Sequence, residues 1–283
     1  MPILSVAKNL QIATPYGFAM TDQSQSFSET PLRYSLVSLS VMKEEIKFQK
    51  YDTKRPGYHW KLISKSIWRR NIFVMGRYEV ILNLIGKEIR NKMVLDVGCG
   101  DGVLSYLLAK RGANVVGIDT SQDAIGFANK KCKKVSGNLK FIAASTYALP
   151  FKDRGFDYVL SPEVIEHLEY PDEMAAEIKR VWNGKEKVVI STPIKFGERS
   201  WDKMHFQEFS ESGFKKLLER YFENVTIINS HPLFWLEFQN KVIFHHHFPR
   251  YFLNFLNLFF RFNPFNATNG WKYYALQIAI ISR

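Results

Sequence analysis

Glu163, Glu166 and His167 stand three and four residues apart in the segment FDYVLSPEVIEHL at 156–168. On a helix that spacing puts all three on one face. A neutral imidazole accepts a proton near neutral pH, and a neighbouring acid can orient it or its substrate. His167 is thus the candidate base and Glu163 the orienting acid. A second histidine, His205 in MHFQEFS, precedes another helix signal. Upstream, residues 94–102 read VLDVGCGDG. Asp96 stands two residues before Gly98, and Gly98, Gly100 and Gly102 alternate with Cys99 and Asp101. Glycines here let backbone approach a ligand closely, and a helix starting behind them offers unpaired N–H groups. The next apolar run, VVGID, ends at Asp119 and is followed by Thr120. A carboxylate at that position can accept two hydrogen bonds from a vicinal diol. The chemistry these residues suit is nucleotide binding beside a proton-accepting imidazole.

Two nucleotide fingerprints fail. A dinucleotide loop needs a glycine where Val103 stands, and no Gly-Lys-Ser/Thr follows for a P-loop. What remains is an acid, G-x-G-x-G and an acid closing the next strand, which resembles the first motif of the class I S-adenosylmethionine-dependent methyltransferases. The resemblance implies that the loop of Asp96, Gly98, Cys99, Gly100 and Gly102 passes the methionine part of that cofactor, and that Asp119 holds the ribose. Three further segments follow in the family's order. Leu139–Phe151, LKFIAASTYALPF, is similar to the adenine-binding turn. Family members usually carry an acid at the place of Ser145, so the contact there is altered, and a backbone N–H near Thr146 can bind the ring. At the third, Ser161 reads as a helix N-cap, with Pro162 and Glu163 in the first turn. That junction flanks the transferable methyl group in the family. The fourth, KVVISTP at 187–193, is a buried strand facing the same crevice.

The resemblance covers about residues 76–230 and the last strand. It implies an enzyme, with O-methylation of a small lipophilic or glycan-type acceptor as the first reading, as in methyltransferases of ubiquinone biosynthesis and of surface glycans. Glu163, Glu166, His167 and His205 are also similar to the two-acid, two-histidine metal set of small-RNA 2′-O-methyltransferases. Metal-assisted RNA methylation is therefore the alternative, with nucleic acid ranked below a small acceptor, and the primary reading assigns no metal. A third reading is a cofactor-binding protein without catalysis, supported by Ser145 alone.

The elements that must position these residues alternate. Strands are expected near 93–97, 114–118, 139–143, 156–160 and 187–192, with helices near 102–111, 121–133, 162–168 and 171–181. Ser210 caps a helix to about 221, a strand follows near 224–229, and the last runs 273–282. That pattern predicts an α/β fold with a doubly wound, mostly parallel seven-stranded sheet, whose ligands bind beyond the carboxyl ends of the strands. Two helices, near 61–71 and 76–86, precede it. Tyr58, His59 and Trp60 at their start can touch ligand or pack as aromatic core.

The chain divides by composition. Residues 1–41 read as a disordered arm or a mis-assigned start ahead of Met42, 42–92 as a helical cap, 93–230 as the cofactor-binding core, 231–270 as an aromatic insertion and 271–283 as the last strand. The net charge of +12 is uneven. Residues 43–92 hold 13 Lys/Arg against 5 Asp/Glu, residues 239–283 hold 5 against none, and 93–238 are near neutral. Basic flanks suit an anionic acceptor, nucleic acid or an anionic membrane.

Two cysteines give no disulfide framework, so a cytoplasmic, reducing setting is expected. Within the insertion, Arg250, Asn254, Asn257 and Arg261 form one polar stripe on a helix that is otherwise Tyr, Phe and Leu. The segment 249–262 reads as a lid over the substrate pocket, a peripheral membrane contact or a dimer interface, and the sequence leaves the oligomeric state open. The run His245–His247 does not suit a single metal ion, because adjacent residues point apart.

Overall fold

The computed structural model describes residues 55–135, 138–197, 202–242 and 247–283. The expected arm at 1–41, the Met42 start and two of the three clustered histidines, His245 and His246, lie outside these residues.

Two helices come first, α1 (Tyr58–Leu62) and α2 (Ile72–Ile85). The core then alternates: β1 (Met93–Val97), α3 (Val103–Ala109), β2 (Asn114–Asp119), α4 (Gln122–Cys132), β3 (Leu139–Ala143), β4 (Tyr158–Pro162), α5 (Pro171–Val181) and β5 (Val188–Pro193). It closes with α6 (Glu211–Glu219), β6 (Asn224–Pro232), α7 (Leu233–Asn240), α8 (Phe248–Phe260) and β7 (Tyr274–Ser282). The seven strands lie in the order β3-β2-β1-β4-β5-β7-β6. All pairs are parallel except those of β7 with β5 and β6. The predicted sheet is therefore present, and its switch point falls beside β1, between β2 and β4.

Strand periodicity builds the two faces. Leu95 and Val97 of β1 pack with Met174 and Ile178 of α5 and Phe214 of α6, whereas Val94 packs with Val80 and Ile81 of α2 and Leu104 of α3. Side chains two apart share a face, so Asp96 joins Val94 on the α2–α3 side. Local chemistry sets the helix starts. Ser121 Oγ accepts from Ala124 N at 3.2 Å, and Ser210 Oγ accepts from Gly213 N at 3.1 Å, the cap the sequence predicts.

Two expectations need correction. The helix expected at 61–71 ends at Leu62. The guanidinium of Arg70 donates to the carbonyls of Ile63 (3.3 Å) and Ser64 (2.8 Å), groups a continuing helix would have used itself. The helix expected at 162–168 is a single 3-10 turn, Ile165–His167. Here β4 runs on through Pro162, and Glu163 takes a left-handed backbone, φ 57°. This kink carries Val164 over Gly98, where a Cβ would collide with the valine side chain. Glu163, Glu166 and His167 therefore do not share a helical face, and the capping roles read for Ser161 and Pro162 do not exist.

Candidate active site

A cavity of about 1110 Å³ opens at the carboxyl ends of β1, β2 and β4. That is at the upper end for one small-ligand site and leaves room for a cofactor with an acceptor. Of the residues singled out by sequence, Asp96, Gly98, Cys99, Gly100, Asp119, Thr120 and Thr146 line it, as do Glu163, His167 and His205. Gly102, Ser145 and Ser161 do not. Gly102 is a packing glycine, since a Cβ there would meet Phe141 at 2.7 Å and Ala128 at 2.9 Å. Ser145 Oγ accepts from Tyr147 N at 3.0 Å and so braces its own loop. Ser161 is fully buried and its hydroxyl donates to Met174 Sδ at 3.7 Å.

The glycine loop is built around three carboxylates. Asp119 accepts from Gly100 N at 2.8 Å and from Ser121 N at 2.9 Å, which aims the side chain and leaves acceptor capacity for a diol. Asp96 is 1% exposed; Ser105 Oγ donates to its Oδ2 at 2.5 Å, while Oδ1 has no partner. Burial pushes this carboxyl up to about 7. A buried, unpartnered carboxylate oxygen in a cavity wall is a site for a cation, and the α-ammonium of S-adenosylmethionine fits it. Asp101, which the sequence reading left aside, holds the cap. Its carboxylate accepts from Gly57 N and His59 N and pairs with His59 Nδ1, each at 3.1 Å, and its carbonyl accepts from Trp60 Nε1 at 2.8 Å. His59 thereby lines the cavity, and Trp60 packs edge-on against Tyr106.

At the other end, β5 fixes both acids of the 163–167 segment. Ser191 Oγ donates to Glu163 at 3.2 Å and Thr192 Oγ1 donates to Glu166 at 3.1 Å. Glu163 also pairs with Arg77 at 3.0 Å. Burial, reinforced by the Glu163 charge, pushes the Glu166 carboxyl well above the usual carboxylate range. His167 Nδ1 lies 3.1 Å from the carbonyl of Met204. A carbonyl cannot donate, so Nδ1 carries the proton and the neutral ring keeps its lone pair on Nε2. His205 is held the same way, by Glu208 at 2.7 Å, and the two imidazoles meet edge to face at 5.1 Å. Ligand atoms of Glu166, His167 and His205 lie within 4.8 Å of one another.

Sequence reading missed Val74, Arg77 and Tyr78 of α2, which line the cavity. A signal was present: Arg77 and Glu79 are the only charges in IFVMGRYEVILNLI. It also missed Tyr147 and Tyr170, whose rings meet at 6.0 Å beside the cavity.

Residues 95–190 match the family model of a methyltransferase domain. Ubiquinone biosynthesis O-methyltransferase of Methylococcus capsulatus is 34% identical over 106 residues, 37% of this chain and 45% of that protein, so the chain spans less than half the length of this relative. Phosphoethanolamine N-methyltransferase 2 of Haemonchus contortus, solved in complex with S-adenosyl-L-methionine, superposes with a TM-score of 0.60 at 18% identity over 86% of this chain and 60% of that one. The [4+2]-cyclase SpnF superposes at 0.52 with 15% identity, over 74% of this chain and 82% of that one. At such identities the structures speak for the fold, and this fold hosts more than one reaction. Glycine loop, acid-closed second strand, sheet order and matched profile converge: the chain carries a class I methyltransferase domain whose cofactor is S-adenosylmethionine.

Proposed function

We propose that the protein transfers a methyl group from S-adenosylmethionine to an oxygen atom of a small lipophilic or glycan-type acceptor. When bound, the sulfonium supplies an electrophilic methyl group. Asp96 would hold its ammonium and Asp119 its ribose diol, with the backbone at Thr146 beside the adenine. His167 Nε2 takes the proton from the acceptor hydroxyl. The O–CH3 bond forms as the S–CH3 bond breaks, and that electron pair stays on sulfur. The Arg77–Glu163 pair and Tyr147 with Tyr170 shape the acceptor end. The observation that carries the reading is that His167, its Nδ1 held by the Met204 carbonyl, lines the same cavity as the glycine loop. The name of the Methylococcus relative supports oxygen as the atom methylated.

The test begins with calorimetric titration of S-adenosylmethionine and S-adenosylhomocysteine in EDTA. A panel of phenolic, catechol and sugar hydroxyl acceptors follows. His167→Ala should lower kcat by about 10²- to 10⁴-fold and leave cofactor affinity intact. An unchanged kcat would remove His167 as the base.

The cluster of Glu166, His167 and His205 favours a second reading, divalent-metal assistance on an RNA 2′-hydroxyl or another diol. Both histidines already donate their other nitrogen to a carbonyl or carboxylate, as metal-ligating histidines do. Activity that is lost in EDTA, returns with Mg or Mn, and needs more metal after Glu166→Gln than in the wild type would select it. Full activity in EDTA would discard it.

A further inference from the structure

The helix α8 sits in the fold the opposite way round from an ordinary surface helix. Three of the four residues of its polar stripe, Arg250, Asn254 and Asn257, face inward, and Arg261 at its end is exposed. Asn254 Nδ2 donates to the carbonyls of Ile67 and Arg70, each at 2.8 Å. Arg250 donates to Arg70 O at 3.3 Å, and Asn257 Oδ1 accepts from Arg70 Nε at 2.7 Å. Outward lies a row of phenylalanines spaced by four, three and four residues: Phe248, Phe252, Phe255 and Phe259. Phe248 and Phe259 are each 62% exposed. Among the described residues of 231–270 none lines the main cavity, so α8 is not a lid over it.

We propose that this face inserts into the headgroup region of an anionic membrane, with α8 lying in the plane of the bilayer. Three observations favour lipid. The exposed row offers neither a donor nor an acceptor, whereas protein interfaces carry roughly one hydrogen bond per 100–200 Å². Arg250, Asn254 and Asn257 of α8 bond toward the protein, so the outward face can enter an apolar medium without carrying them into it. The two chain segments that carry and border it are basic, with Glu79 at their edge bonded to Asn263 and Asn266. Residues 55–78 hold six Lys/Arg and residues 239–283 hold five, with no Asp or Glu in either segment. The two segments pack on each other through the bonds just described. Exposed Trp68, in edge contact with Tyr251 at 4.7 Å, stands beside exposed Arg69, and exposed Trp271 precedes exposed Lys272. Tryptophan and basic residues bordering an apolar helix face are the signature of interfacial helices. A self-complementary dimer through the same patch would set these basic borders against each other.

The test is co-sedimentation of the full chain with phosphatidylcholine vesicles, with and without phosphatidylglycerol. It needs neither cofactor nor acceptor, so it is independent of the methyl-transfer reading. The protein should bind the anionic vesicles, and weaken as salt rises from about 0.1 M to about 1 M, where screening shortens from ~10 to ~3 Å. The triple variant Phe252→Ser, Phe255→Ser, Phe259→Ser should lose at least about tenfold in binding. Unchanged S-adenosylmethionine affinity in that variant confirms that it folds. Failure of the wild type to bind either vesicle, or equal binding by the folded variant, overturns the proposal. So does a wild-type dimer in sedimentation velocity that the variant abolishes, which would assign the face to a second copy.

Discussion

At the scale of single residues, the site depends on where charge is allowed to exist. Asp96 titrates near 7 instead of 3.8 because the wall around it excludes water. Its charged form is the one that receives an ammonium, so cofactor affinity should fall as pH drops below neutrality, by about tenfold per unit at the limit. Binding there should release about one proton per site, measurable by calorimetry in buffers of different ionisation enthalpy. The sign for stability is opposite. A carboxyl raised on folding contributes fully below pH 3.8, and its contribution is lost as pH rises through about 7. Cofactor should therefore raise Tm more at mildly alkaline than at mildly acidic pH. Asp96→Ala should cost about 2–5 kcal/mol of cofactor binding; an unaltered affinity would move the ammonium elsewhere. His231 shows the complementary case. Burial, with the Arg77 charge, holds it down at about 3, and the neutral ring bonds Ser230 and Phe73 O as part of the scaffold.

At the scale of elements, two short connections matter more than their length suggests. The five-residue helix α1 could not persist alone; Asp101 gathers its N–H groups and ties it to the glycine loop. Asp101→Ala should accelerate amide exchange at residues 57–62 and weaken the cofactor, leaving exchange in β1, β4 and β5 unchanged. Equal protection would show that Trp60 and Tyr106 suffice. The attachment of α8 is polar as well. Asn257→Ala strands the buried Nε of Arg70, at a cost of about 2–3 kcal/mol in stability, seen as a fall in Tm. A neutral result would mean that Arg70 finds another acceptor.

At the scale of the molecule, the sheet and the cofactor end were legible because they are written locally: apolar strands, alternate glycines, an acid closing β2. At the acceptor end the residue types were legible, since Glu163, His167 and His205 line the cavity, but their geometry was not. The spacing of Glu163, Glu166 and His167 suggested a helix, but tertiary packing of Val164 on Gly98 imposed a kink instead. Arg77 and Met204 reach the site from segments distant in sequence, and no periodicity announces that. The orientation of α8 was likewise hidden, since an amphipathic pattern states that two faces differ and not which one is inside. If the membrane proposal holds, the triple phenylalanine variant should methylate a water-soluble acceptor at the wild-type rate and lose activity toward the same headgroup carried on a vesicle-embedded lipid. Equal losses on both would point to damage at the site.

The thiol of Cys99 sits within the glycine loop, where Gly117 leaves it room; a Cβ there would meet its sulfur at 2.9 Å. Burial, reinforced by Asp96 and Asp119, pushes this thiol well above its ordinary value, so little nucleophilic thiolate exists at neutral pH. In a Cys132→Ser background Cys99 is then the single thiol of the chain, and its alkylation rate becomes a clock for the loop. Each reaction event requires the loop to open or the cavity to be vacant, so protection by S-adenosylmethionine reads occupancy, and the residual rate at saturation reads the opening equilibrium.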